Sequence, residues 1–153
     1  MESKSRIYLS SAVVLLILTA AALCAGVHQS FNGTWRLIPA RGELAGEPII
    51  QTGTVTIADR QGNIYVSRDF TFDGESQTAN YSYSTDGRAN SWIHEGKLFK
   101  SKAKWEGNEL RILAEQDNII STERFSLTGD GTLKLVVERP GHHIVTLYFE
   151  RSS

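Results

Sequence analysis

The chain has one cysteine, Cys24, in 153 residues, and it lies in the N-terminal stretch. Once that stretch is removed the remainder can form no disulfide, even in an oxidising compartment, so its stability must come from core burial. The remainder also lacks a thiol nucleophile and a Gly-x-Ser-x-Gly elbow. No phosphate-binding glycine loop opens a helix, and the acidic residues concentrate in turns rather than forming a spaced carboxylate pair. The four histidines are scattered. His142 and His143 are adjacent, so in a strand they point to opposite faces and chelate poorly. These absences point away from an enzyme, a metal and a cofactor.

An excess of one charge is missing too. There are 16 basic and 17 acidic side chains. Removing Glu2, Lys4 and Arg6 leaves 14 and 16, a net charge near −2. Nothing in that balance draws the chain to nucleic acid or to an anionic membrane surface. The one basic run, Lys97, Lys100, Lys102 and Lys104, sits in a strand candidate. Its last three members share a face and read as a solvated, edge-protecting stripe.

Long apolar runs are limited to one. Lys4 and Arg6 precede an uncharged stretch from Ile7 to Val27, almost purely aliphatic from Ala12 to Leu23 and ending in small residues. That is the plan of a secretory signal peptide, residues 1–26, cleaved near Ala25 or Gly26 to leave a domain of residues 27–153, secreted or periplasmic. Two other readings stay open. Residues 7–27 are long enough for an uncleaved membrane anchor, and Cys24 could carry a lipid, although Leu23 stands where a small residue is wanted. No other membrane partner is implied, and oligomeric state is not legible.

What the domain has in abundance is turns. Asp73-Gly74, Asp86-Gly87, Glu95-Gly96, Glu106-Gly107-Asn108, Asp117-Asn118, Gly129-Asp130-Gly131 and Pro140-Gly141 recur roughly every 11 residues, with β-branched and aromatic sequence between them. Strands are expected over Phe31–Ile38, Gly53–Ala58, Asn63–Phe72, Thr78–Ser84, Asn90–His94, Lys97–Trp105, Glu109–Glu115, Ile119–Leu127, Thr132–Glu138 and His143–Arg151. Pro39 to Ile50, with two prolines and two glycines, has room for one helical turn at most. Alternation puts Ile64, Val66, Phe70 and Phe72 on one face, and likewise Leu110 and Ile112, Leu133 and Leu135, Val145, Leu147 and Phe149. The fold class is all-β, an antiparallel up-and-down meander of about 8–10 strands closing into a barrel.

Two charges break the apolar phase. Arg68 falls between Val66 and Phe70, and Glu123 between Ser121 and Phe125. A buried charge must be paired or neutralised. One reading makes them ligand-binding residues, with Arg68 addressing a ligand carboxylate and Tyr81, Tyr83 and Trp92 supplying walls and a hydrogen bond. The other is that a β-bulge flips the phase, or that Arg68 snorkels at the barrel mouth.

The first strand reads Gly33-Thr34-Trp35-Arg36-Leu37-Ile38-Pro39-Ala40, a turn reads Phe72-Asp73-Gly74, and the end reads Leu147-Tyr148-Phe149-Glu150-Arg151. Together they resemble the calycin superfamily, and most closely its small exported bacterial lipocalin-like proteins. The resemblance implies that Trp35 plugs one barrel end, that Gly33 permits a close approach, and that Arg151 stacks on the indole. The two helices that fatty-acid-binding proteins insert after the first strand have no counterpart here, nor do lipocalin disulfides or an avidin-type site. Two functional expectations follow. One is a non-enzymatic exported barrel holding a small apolar, amphipathic or carboxylate ligand. The other is a structural or protein-interaction barrel whose large inward side chains fill it.

Overall fold

Two-residue turns set the order of the strands. Asp73-Gly74 and Asp117-Asn118 both place two successive residues at positive φ (48° and 85°; 51° and 65°). That geometry matches the right-handed twist of a hairpin and favours Asp, Asn and Gly. A computed structural model describes residue 28 and residues 30–44, 49–94 and 96–153, without the side chains of Trp92 and His94. The proposed leader, residues 1–26, lies outside the described residues.

The strands are β1 (Gly33–Leu37), β2 (Ile50–Arg60), β3 (Asn63–Phe72), β4 (Glu75–Ser84), β5 (Asn90–His94), β6 (Lys97–Glu106), β7 (Glu109–Gln116), β8 (Ile119–Leu127), β9 (Leu133–Glu138) and β10 (Val145–Arg151). Every pairing is antiparallel, and the spatial order is β4-β3-β2-β1-β10-β9-β8-β7-β6-β5. First and last strands meet through Trp35 opposite Arg151 and Leu37 opposite Phe149. Between β1 and β2 the described chain makes one 3₁₀ turn, Pro39–Arg41.

The meander curls into a barrel that does not fully close. β4 and β5 are consecutive in the chain yet form no ladder. Thr85 holds the end of β4 down on the β2–β3 turn, donating to the Gly62 carbonyl from both its N–H and its hydroxyl at 2.9 Å. Across the gap the Asn90 side-chain amide donates to the Ser82 carbonyl at 3.0 Å.

The core occupies one half of the barrel. Phe31, Trp35, Val55, Ile64, Leu110, Phe125, Leu133 and Phe149 are wholly or almost wholly buried. Each such side chain contributes about 1.5–3 kcal/mol of transfer free energy. On β3 the inward phase continues without a bulge. Val66 faces Ile57 and Tyr81, and Arg68 faces Val55 and Ala79. Burial fades along it, since Ile64 and Val66 are buried while Phe70 and Phe72 are half-buried. One outward position departs from simple alternation. Thr146 is buried because Glu43 lies against it, exchanging main-chain hydrogen bonds of 2.8 and 2.9 Å.

Candidate functional site

At the packed end Trp35 is 1% exposed, and its indole N–H donates to the Phe31 carbonyl at 2.9 Å. The Arg151 guanidinium lies over the indole and donates to two main-chain carbonyls, those of Asn32 and Ser30. Gly33, at φ +134°, leaves room for it. A Cβ there would stand 2.6 Å from the Arg151 Nη1. Sequence reasoning missed the outer layer of this end, where the His28 ring stacks on Trp105 at 3.9 Å and Phe31 meets Trp105 edge-on at 5.0 Å.

Halfway along the bore, Arg68 and Glu123 meet. β3 and β8 stand five places apart in an order of ten strands, so the pair spans the interior from opposite walls. Arg68 Nη1 donates to Glu123 Oε1 at 2.8 Å, and Nη2 donates to Oε2, closing a fork. Their side chains are only 13% and 17% exposed. The neutral-pair geometry answers the burial, because a lone charge there would be desolvated without compensation. Burial opposes the charge on Arg68, but the field and hydrogen bonds of Glu123 outweigh it and hold the guanidinium above its ordinary value. The fork that the sequence reading offered to a ligand carboxylate is therefore already taken by Glu123. Arg68 Nε, also buried, has no partner.

Tyrosines line the approach to the pair. The Arg68 guanidinium carbon lies 5.3 Å from the Tyr81 ring centroid and 5.7 Å from that of Phe125. Tyr81 and Tyr83 stack at 5.9 Å. Burial pushes the Tyr83 hydroxyl upward, against the pull of nearby Arg68, so it stays a neutral donor at physiological pH. Trp92, the remaining candidate, pairs through its backbone with Phe99. Its side chain lies outside the described residues.

Two spaces adjoin the pair. One, of about 760 Å³, opens toward the end of the barrel and is walled by Phe70, Phe72, Leu135, Val137, Val145 and Leu147. The other, of about 880 Å³, lies beneath β6–β8 and beside the β4 edge, walled by Tyr83, Phe99, Ile112, Ala114 and Ser121. Arg68, Ala79, Tyr81, Glu123 and Arg139 border both. His142 and His143 are exposed and contribute to the mouth of the first space. Exposed apolar side chains mark the same end of the barrel, namely Ile49, Ile93, Leu98, Ile119, Ile120 and Ile144.

The lysines of the basic stripe lie at the surface. Lys100 and Lys104 face outward toward Glu115 and Glu106. Among the described residues, no group of three or more His, Cys, Asp or Glu is placed to hold a metal, and no helix is long and apolar enough to cross a membrane.

No protein-family model matches the chain, and no curated protein matches it in sequence. Solved structures do match in shape. A fatty acid transporter, REP1-NXSQ, superposes with a TM-score of 0.63 at 16% identity, over 82% of this chain and 98% of that one. Fatty-acid-binding protein 1 of Echinococcus granulosus gives 0.62 at 13% identity, over 82% and 99%. Secretory abundant heat soluble protein 4 of Ramazzottius varieornatus gives 0.60 at 16%, over 81% and 96%. The fold is thus calycin-like. At these identities the likeness concerns the fold alone, and two of these three neighbours are named for carrying or binding fatty acids.

Proposed function

We propose that the protein is an exported, non-enzymatic barrel that takes one small apolar or amphipathic molecule into its interior. The observation carrying this reading is the unfilled half of the bore, with spaces of about 760 and 880 Å³ meeting at a single buried ion pair. Ligand sites run to roughly 300–1,000 Å³, mostly apolar with a few polar anchors. The rival, a barrel packed solid with side chains, fits the Trp35 half but not the half beyond Arg68. Fold neighbours named for fatty-acid carriage support the carrier reading, as does the basic, apolar, small-residue leader for export.

Native mass spectrometry of the protein purified from its own source tests it. A co-purified molecule of a few hundred daltons, released on unfolding, is the expected result. A bare mass, together with failure of any apolar dye to gain fluorescence on binding, would overturn the proposal.

A further inference from the structure

The Arg68–Glu123 pair does more than satisfy two charges. It crosses the bore between opposite strands and stands where the two spaces meet. A straight, single-armed ligand lying in one space would leave the other to water. One that threaded both would have to pass the tethered side chains. The first space is lined by Phe70, Leu135 and Leu147 with Asp73 and Glu75 at its rim, the second by Phe99, Ile112 and Ala114 beside Lys97, Glu115 and Asp117, so each offers an apolar strip for an arm of its own within a polar surround.

The polar groups at the junction specify what should join those arms. Guanidinium and carboxylate already neutralise one another, so a charge resting on the pair itself gains no net attraction from it, and the other cation that borders both spaces, Arg139, is exposed at their rim. Arg68 Nε is buried and unpartnered, and Tyr83 keeps its proton. Both are donors suited to an uncharged acceptor such as an ester, amide or ether oxygen.

We propose that the barrel binds a two-armed amphiphile whose uncharged polar link rests on the Arg68–Glu123 pair, with one apolar arm in each space. This rests on the carrier reading above and sharpens it. The ligand class is a neutral molecule with two apolar arms, in contrast to a single-chain acid.

The test compares three probes by displacement of a bound apolar dye. Dioctanoylglycerol and monopalmitoylglycerol carry equal acyl carbon in two arms or one, which holds total hydrophobicity nearly constant, and palmitate adds a carboxylate. The wild-type protein should prefer dioctanoylglycerol on the order of tenfold over each of the others, a tenfold ratio being about 1.4 kcal/mol. Ala114→Trp, which fills the second space, and Val137→Trp, which fills the first, should each abolish that preference. The wild-type ratio needs no variant, so a misfolded substitution does not spoil the test. Equal or tighter binding of monopalmitoylglycerol or palmitate overturns the two-armed proposal and leaves the carrier reading standing. Binding of neither the dye nor any probe overturns both.

Discussion

The Arg151 guanidinium carbon sits 4.3 Å from the centroid of the Trp35 ring, while its nitrogens donate to the Asn32 carbonyl at 2.7 Å and the Ser30 carbonyl at 2.6 Å. One side chain from the last strand thereby fastens the segment that enters the first. Replacing it should loosen the packed end. Arg151→Ala is expected to lower stability by about 1–2 kcal/mol, combining a cation–π contact with exposed charge-assisted hydrogen bonds. Arg151→Lys should recover less than half of that, since an ammonium neither lies flat on the indole nor spans two carbonyls. Urea unfolding with an unchanged slope reads both values. Equal stability of Arg151→Ala and wild type would show that the contact adds nothing.

Gly33→Ala should cost about 1–3 kcal/mol, because φ +134° is a region that residues bearing a Cβ rarely adopt. Part of that cost is a collision with Arg151 Nη1. Measured in an Arg151→Ala background, the substitution should therefore cost less, with a coupling of at least about 0.5 kcal/mol between the two sites. Strict additivity in the double-mutant cycle would separate the glycine from the arginine.

Much of this molecule is written in short-range pattern, and the site is not. Asp73-Gly74 and Asp117-Asn118 announced their hairpins because few residues tolerate the positive φ that those turns adopt. Gln61-Gly62 adopts the same geometry, with Gln61 at φ 53°, although glutamine gives no such signal. The start of β4 at Glu75, three residues earlier than expected, was hidden for a similar reason. Glu75, Ser76 and Gln77 are polar and exposed, and they extend only because they pair with Phe72, Thr71 and Phe70. The missing β4–β5 ladder was equally illegible, since the Asp86-Gly87 turn looks like any other hairpin signal. Arg68 and Glu123 stood out singly as charges on inward phases. That they meet depends on the register of the strands between them and on the curl of the whole sheet, which no local window contains.

The buried pair makes a prediction of opposite signs for single and double substitutions. Glu123→Leu leaves the Arg68 charge facing apolar walls and Phe125, and should cost about 3–5 kcal/mol. Combining it with Arg68→Met removes the stranded charge and should return stability to within about 1 kcal/mol of wild type, or above it. The far-UV circular dichroism should be unchanged in the double variant. A harmless Glu123→Leu would mean that the pair is solvated in solution.

Acid sensitivity is expected to originate partly at Asp130, in the β8–β9 turn. Its carboxylate accepts from the Thr128 hydroxyl, from the Thr132 N–H at 3.2 Å and from Arg41 Nη1 at 3.2 Å. These bonds, the Thr128 hydroxyl first among them, hold its carboxyl well below the usual aspartate range. A group whose folded value is depressed stabilises the fold above its unfolded value, and that contribution fades as pH falls toward the folded one. Wild-type stability should therefore decline as pH drops below about 4, the ordinary aspartate value. Asp130→Asn should be less stable at neutral pH, decline less steeply below that point, and converge with wild type in strong acid. Asp86 and Glu106, also held low by hydrogen bonds, keep some slope in the variant. Urea midpoints taken at a series of pH values measure the difference, and parallel curves for the two proteins would remove Asp130 from the account.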